Sequence, residues 1–145
     1  MYEAIQVVHS YWAYLVVLVV TLATINALIG FFSKREYAPK DFRISLFALI
    51  VTHLQLLIGI IIFFVSPTVL WFSDVPVKDI MGDPLLRLYN VEHPTMMIAM
   101  VVFITIGYSK HKKKLTSTPK FKMLAIFYTI AWLLMLSRIP WANWF

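Results

Sequence analysis

The feature that most constrains this chain is an apolar run from Ile44 to Val65, ISLFALIVTHLQLLIGIIIFFV, which spans 22 residues without a charged side chain. About 20 apolar residues are needed for a helix to cross the hydrocarbon core of a bilayer. His53 stands near the middle of the run, and Gln55 follows two residues later. An ionisable group at that depth is costly unless it is paired, so His53 is a candidate functional residue.

The composition and three further apolar runs predict an integral membrane protein. The chain of 145 residues is 61% hydrophobic and only 14% charged, whereas about a quarter of the residues in soluble domains are charged. Four spans leave little room for a soluble domain, so we predict one domain over residues 1–145. The predicted fold is all-α, a four-helix transmembrane bundle with up-down-up-down topology. Its helices are expected at about 4–32, 42–65, 84–108 and 122–139, with an outer interfacial lid at about 66–83.

The basic residues predict the orientation of the bundle. Residues 33–43 and 109–122 hold ten of the thirteen lysines and arginines. Because loops rich in lysine and arginine stay on the cytoplasmic side, both termini are predicted to lie on the outer, periplasmic side of an inner membrane. Topology and contact with anionic lipid explain the net charge of +6. We therefore predict the lipid bilayer as a partner and no nucleic acid.

The residue inventory excludes several kinds of chemistry. The chain has no cysteine, which rules out disulfides, iron–sulfur clusters and thiol catalysis. It also lacks a phosphate-binding loop and a nucleophile elbow. The few acids within the spans argue against an ion-driven transporter. We therefore expect no enzymatic activity from this chain by itself.

Three histidines are predicted to lie at similar depths in three helices. Counted from the outer helix ends, His9 is about five residues in, His93 about ten and His53 about twelve, which at 1.5 Å per residue places them within roughly 10 Å of depth. His111 lies in the lysine-rich second basic loop and is expected to be solvated. Each histidine alone is also typical of a hydrogen-bonded packing residue. The functional hypothesis therefore depends on all three occurring together.

Three histidines without any cysteine suit a metal or a macrocycle held between helices. Haem is the leading candidate, because bundle cores commonly bind cofactors through facing side chains and histidine or methionine can ligate haem iron. Met97 shares a helix face with His93 at a spacing of four residues and is predicted to contact the cofactor. Arg87 and Arg138, near the outer ends of the third and fourth helices, are candidates to bind the haem propionates.

The sequence leaves open which two histidines ligate the iron. Short loops make consecutive helices neighbours, so the first and third helices face each other diagonally, which favours His9 with His93. Depth favours His53 with His93. His93 belongs to both pairs and is the ligand on which the prediction depends most.

Three alternatives use the same part of the chain. Three histidines can hold a catalytic zinc ion with one open position, although the metalloprotease spacing H-E-x-x-H is absent. Glu92, His93 and His53 can also form a proton path. A quinone pocket under Trp71 and Phe72 is the third option, and no feature of the sequence is specific to quinone.

Four segments of the chain carry a resemblance to known proteins: HSYWAYLVVL, THLQLLIGIIIFFVSP, RLYNVEHPTMMIAMVVFITIGYSK and the closing IPW. With them, the sequence resembles a group of small four-helix bacterial membrane proteins described as cytochrome b-like and associated with the Bacteroidetes. The resemblance covers nearly the whole chain and implies b-type haem with histidine ligands, at the matching positions His9, His53 and His93. The fourth helix has no histidine, which departs from bundles that ligate haem through the second and fourth helices.

These features together predict a b-type haem-binding protein of the bacterial inner membrane that acts as an electron-transfer or redox subunit, with other membrane protein subunits as partners. The alternative is a cofactor-free structural or accessory subunit of a larger membrane complex, such as a secretion or respiratory assembly. The small size, the aromatic ends and the lack of a soluble domain suit that second role.

Overall fold

The computed structural model describes residues 1–144, and within that range all regular secondary structure is helical. Phe145, the last residue of the predicted domain, lies outside the described residues. In chain order the helices are α1 (Tyr2–Phe32), α2 (Pro39–Val65), the short α3 (Val77–Gly82), α4 (Pro84–Lys112) and α5 (Ser117–Ser137), and a 3-10 turn at Trp141–Asn143 follows. By length and composition, α1, α2, α4 and α5 can each cross a membrane. The all-α prediction with four apolar spans is confirmed.

The four long helices pack in a closed ring. Each packs against its neighbours in the chain, and α5 also packs against α1, so that α1 and α4 lie diagonally across the bundle. The core side of α1 consists of small residues that allow close approach of helices. These are the buried residues Val16, Val20, Ala23 and Ala27. Polar bonds between helices add to this packing, for instance the Trp12 indole, which donates to the Val51 carbonyl at 2.9 Å.

A buried polar cluster fixes the connection between α1 and α2. Asp41 lies in the first turn of α2, which begins at Pro39 because proline suits the first helical position. One carboxylate oxygen of Asp41 accepts hydrogen bonds from Arg35 and Asn26, each at 2.9 Å, and the other accepts the backbone N–H of Ala38 at 2.8 Å. The Asp41 side chain is fully buried. The cluster therefore ties both helices and their loop together.

The second basic loop is shorter than predicted. Helix α4 continues through Lys112 and α5 begins at Ser117, because lysine is a good helix former and Pro119 is tolerated in a first helical turn. The expectation that His111 is solvated is wrong, since its side chain is fully buried. Its Nε2 lies 2.8 Å from the Tyr37 hydroxyl, so the two basic loops are in contact with each other.

Candidate cofactor site

His9 and His93 face each other across the bundle. Their rings project from the diagonal helices α1 and α4, with ring centroids 6.2 Å apart and planes at 78°. Of the two pairings that the sequence left open, the structure brings together His9 and His93.

A π-helical turn places His93. Residues Leu88–Glu92 of α4 form this turn, and Pro94 follows it. Proline has no N–H, and its ring clashes with the carbonyl four residues earlier, which is that of Asn90. The Asn90 carbonyl instead accepts a hydrogen bond from the Trp71 indole at 2.9 Å. Pro94 thus explains both the widened turn and the attachment of Trp71 to α4, and such turns are frequent at functional sites.

The His93 ring is oriented by a backbone carbonyl. Its Nδ1 lies 2.8 Å from the carbonyl oxygen of Arg138, just after α5. A carbonyl oxygen only accepts, so Nδ1 carries the proton and Nε2 keeps its lone pair. This is the arrangement in which histidine binds a metal, with the other ring nitrogen held by a carbonyl.

The His9 ring has fewer polar contacts. Its Nδ1 is buried and has no hydrogen-bond partner within residues 1–144. The Gln55 side-chain amide donates to the backbone carbonyl of His9 at 2.9 Å. Across from the ring stands Gly59, where an added Cβ would lie 3.6 Å from His9 Cε1. His9 is thus the histidine of this pair whose ring lacks a hydrogen bond.

A cavity of about 340 Å³ adjoins the histidine pair and lies between α1, α2, α4 and the residues after α5. Its volume is within the range of small-molecule sites, which are mostly apolar with a few polar groups. Met97, one helical turn from His93, lines this cavity, and its contact with a cofactor stays a prediction. Its polar lining residues include Gln6, His9, Ser10, Thr52, Gln55, Tyr89 and His93.

The side chain of Asn90 also holds the predicted lid against α4. Asn90 accepts a hydrogen bond from the Leu70 N–H at 2.8 Å and donates to the Thr68 carbonyl at 3.0 Å. Its amide also donates to the Leu86 carbonyl at 2.7 Å within α4. Thr68 lines the cavity, so Asn90 holds this part of the segment beside the candidate site.

His53 lies apart from the other two histidines. It is exposed on the outer surface of α2 and does not line the cavity described here. Its Nδ1 bonds to the Leu49 carbonyl at 2.7 Å, and its Nε2 lies 3.3 Å from the Thr105 hydroxyl. The structure therefore does not bring His53 together with His9 and His93.

The two arginines predicted to bind propionates both contact Glu92. Arg87 Nε donates to one Glu92 oxygen at 3.2 Å, and Arg138 Nε lies 3.8 Å from the other. Neither arginine is among the residues of the described chain that line the cavity. They lie next to the His93 turn and are engaged by an acidic side chain.

The described residues contain no group of three or more histidine, aspartate or glutamate side chains that could hold a metal ion. A zinc site built from three histidines, one of the alternatives raised by the sequence, is therefore not assembled in residues 1–144. His9 and His93 are therefore the candidate ligands for a cofactor that needs two protein ligands.

The sequence reasoning did not anticipate the contacts of Gln55 and Asn90. Both are polar residues inside apolar spans, where an amide must find hydrogen-bond partners. Their position within the spans was the signal from which these contacts could have been predicted. Pro94, four residues after Asn90, also indicated that the Asn90 carbonyl lacks its usual donor within the helix and can accept a hydrogen bond from the Trp71 indole.

The fold and the cavity together define the class of this chain, a multi-pass helical membrane protein with a histidine-lined internal cavity. No family model, curated protein or solved structure matches the chain in the comparisons with known proteins. The resemblance to cytochrome b-like proteins therefore stays a prediction.

Proposed function

We propose that this chain binds one b-type haem between His9 and His93 and acts as an electron-transfer subunit of the bacterial inner membrane. The observation that carries the proposal is the distance of 6.2 Å between the two ring centroids. Imidazole nitrogens bind transition metals at about 2.0–2.1 Å, so two rings at this separation could both bind one metal ion. His9 and His93 would then hold the haem iron.

The chemistry of the donor set also fits. His93 Nδ1 is hydrogen-bonded to a carbonyl, which leaves Nε2 as the ligating nitrogen. His9 Nδ1 is buried without a partner in the described chain, and a buried polar atom of this kind is frequently part of a functional site. When bound, haem supplies one-electron transfer.

The other residues in and near the cavity also contribute to the proposed binding of haem. Met97 and its apolar neighbours exclude water, and a thioether side chain adapts to the shape of a large ring. Arg87 and Arg138 stay near the site through Glu92 and balance the charge of anionic groups at its edge.

The orientation in the membrane belongs to the same proposal. Contacts between Tyr37 and both His111 and Ser117 join the two basic loops, which supports an up-down-up-down bundle with both loops in the cytoplasm. The termini and the cavity then lie on the periplasmic side. Electron exchange would therefore take place with a partner on the outer face.

Three matched substitutions test the haem proposal. We expect the variants His9→Ala and His93→Ala to insert into the membrane but to retain less than a tenth of the wild-type haem, because each loses one of two ligands. The control His53→Ala, which replaces a histidine remote from the cavity, is expected to keep its haem. Haem content per chain is measured after detergent purification, and full haem in His93→Ala together with loss in His53→Ala would reject this pairing.

We also propose, as a second candidate function, that the chain is an accessory subunit whose α2 surface binds a transmembrane helix of a partner. The specific observation is the exposed His53. Its Nδ1–H donates to Leu49, and the hydroxyl proton of Thr105 is directed to the Val101 carbonyl at 2.7 Å. The His53 Nε2 therefore needs a donor in a membrane, where unpaired polar groups are costly. A partner helix with a serine, threonine or tryptophan donor suits it.

Photo-crosslinking tests whether the α2 surface binds a partner protein. We expect a photoreactive residue in place of Leu54, which is exposed next to His53, to crosslink to one defined membrane protein. The control position is Leu133, exposed on α5, where no such product is expected. Crosslinks to lipid only at both positions would count against a partner on this surface.

A further inference from the structure

Gln55 combines two features at the candidate site. Its side-chain nitrogen donates to the backbone carbonyl of His9 at 2.9 Å, which holds the amide against the turn of α1 that carries the His9 ring. Its side-chain oxygen is buried and has no partner within the described chain. The Gln55 amide therefore has a partner for its nitrogen but none for its oxygen, and it lies next to a histidine whose Nδ1 also lacks a partner.

The unpartnered atoms are complementary. Residues 1–144 contain four buried side-chain polar atoms without a hydrogen-bond partner, and two of them are His9 Nδ1 and Gln55 Oε1. An amide oxygen only accepts, and an imidazole Nδ1–H donates. Their pairing would satisfy both atoms with one hydrogen bond and would leave His9 Nε2 as the nitrogen with the lone pair.

The second histidine of the pair supports this reading. His93 Nδ1 already donates to the Arg138 carbonyl oxygen, and histidines that bind metals almost always donate the other ring N–H to such an acceptor. His9 has no equivalent partner as it stands. Gly59 leaves ordinary van der Waals space beside the His9 ring, so a modest rotation of the ring is not blocked from that side.

We propose that Gln55 is the positioning residue for His9: its Oε1 accepts the hydrogen bond of His9 Nδ1–H in the loaded site and directs Nε2 into the cavity. This inference rests on the proposed haem function. Gln55 fixes the tautomer of His9 and increases the electron donation of the ring, because a hydrogen bond from the distal N–H makes the ligand more basic.

The test uses the full-length protein with haem and compares Gln55→Leu, Gln55→Glu and the wild type. We expect Gln55→Leu to bind haem about 10- to 100-fold more weakly, as is typical when a ligand's orienting partner is removed. Its midpoint potential should rise above that of the wild type, since a less basic ligand stabilises ferric iron less. Gln55→Glu should restore haem binding and lower the potential below the wild-type value. If Gln55 contributed only to the folding of the protein, the midpoint potentials of the three proteins would not follow this order.

Ser45→Ala is the matched control. Ser45 is also a buried polar residue of α2, but it does not line the cavity, and its hydroxyl donates to the Phe42 carbonyl of its own helix at 2.8 Å. Its potential should equal that of the wild type. If Gln55→Leu does not accumulate, Gln55→Glu decides alone, and a potential equal to or above that of the wild type overturns the inference. A wild-type protein without haem would instead overturn the proposed function.

Discussion

The attachment of residues 68–71 to α4 provides a prediction whose size can be worked out from the structure. The side chain of Asn90 is buried and makes three hydrogen bonds, to Leu70, Thr68 and Leu86. Each such bond contributes about 0.5–1.5 kcal/mol net. Only the bonds to Leu70 and Thr68 join the segment to α4, so replacing Asn90 by Ala should lower the free energy that holds this segment closed by about 1–3 kcal/mol. The hydrogen bond from Trp71 should survive, because it uses the Asn90 backbone carbonyl.

Hydrogen exchange measures this loss directly. The only hydrogen bond of the Leu70 N–H among the described residues is to the Asn90 side chain, so its exchange reports the opening of the segment. Since about 1.4 kcal/mol corresponds to a factor of ten, the Leu70 amide should exchange about 5- to 150-fold faster in Asn90→Ala. The same substitution at Asn143, which is exposed, serves as the control. A Leu70 exchange rate within threefold of the wild-type rate would refute the proposed clamp.

Three further predictions concern the bundle. Asp41→Ala should lower the free energy of unfolding in detergent by about 3–5 kcal/mol, because it removes a fully buried carboxylate that accepts three hydrogen bonds and leaves the partly buried Arg35 without its ion pair. The exposed control Asp79→Ala should change it by less than about 0.5 kcal/mol, and equal effects would contradict the cluster. Gly107→Ala should lower the free energy of unfolding by about 1–3 kcal/mol, because the added Cβ would lie 2.6 Å from a side-chain carbon on α5. The control is Gly82→Ala, whose added Cβ meets nothing within 4 Å. Thermal melts of the two variants measure the difference. Burial raises the pKa of Tyr37 to about 12 from its ordinary value near 10, so its stabilising contribution is complete below pH 10 and lost between about pH 10 and 12. Tyr37→Phe should show a smaller loss of stability over that interval, and parallel stability curves would argue against the role of Tyr37.

The sequence was sufficient to predict the four spans, because long uncharged runs have few alternatives to a helix in a bilayer. It was less informative about where helices end near lysines and prolines, since Pro39 and Pro119 are both accepted in first turns. Hydropathy describes the average polarity of a segment. It does not report which helical turn a loop contacts.

The histidines illustrate what the sequence could not decide. His9 and His53 are both histidines within apolar helices, yet one faces the cavity and the other the outer surface. Which face of a helix turns inward depends on the packing of all four helices. His111 was misjudged for a related reason. Its lysine neighbours are exposed, but Tyr37 from another loop covers the imidazole.

The central claim is that the pair formed by His9 and His93 holds haem, and an absorption spectrum tests it most directly. The wild-type protein, purified in detergent from a host that produces haem, is compared in the oxidised state and after reduction with dithionite. We predict sharp reduced α and Soret bands of low-spin b-type haem at one haem per chain. A helical, monodisperse protein that stays colourless after haem is supplied would contradict the account.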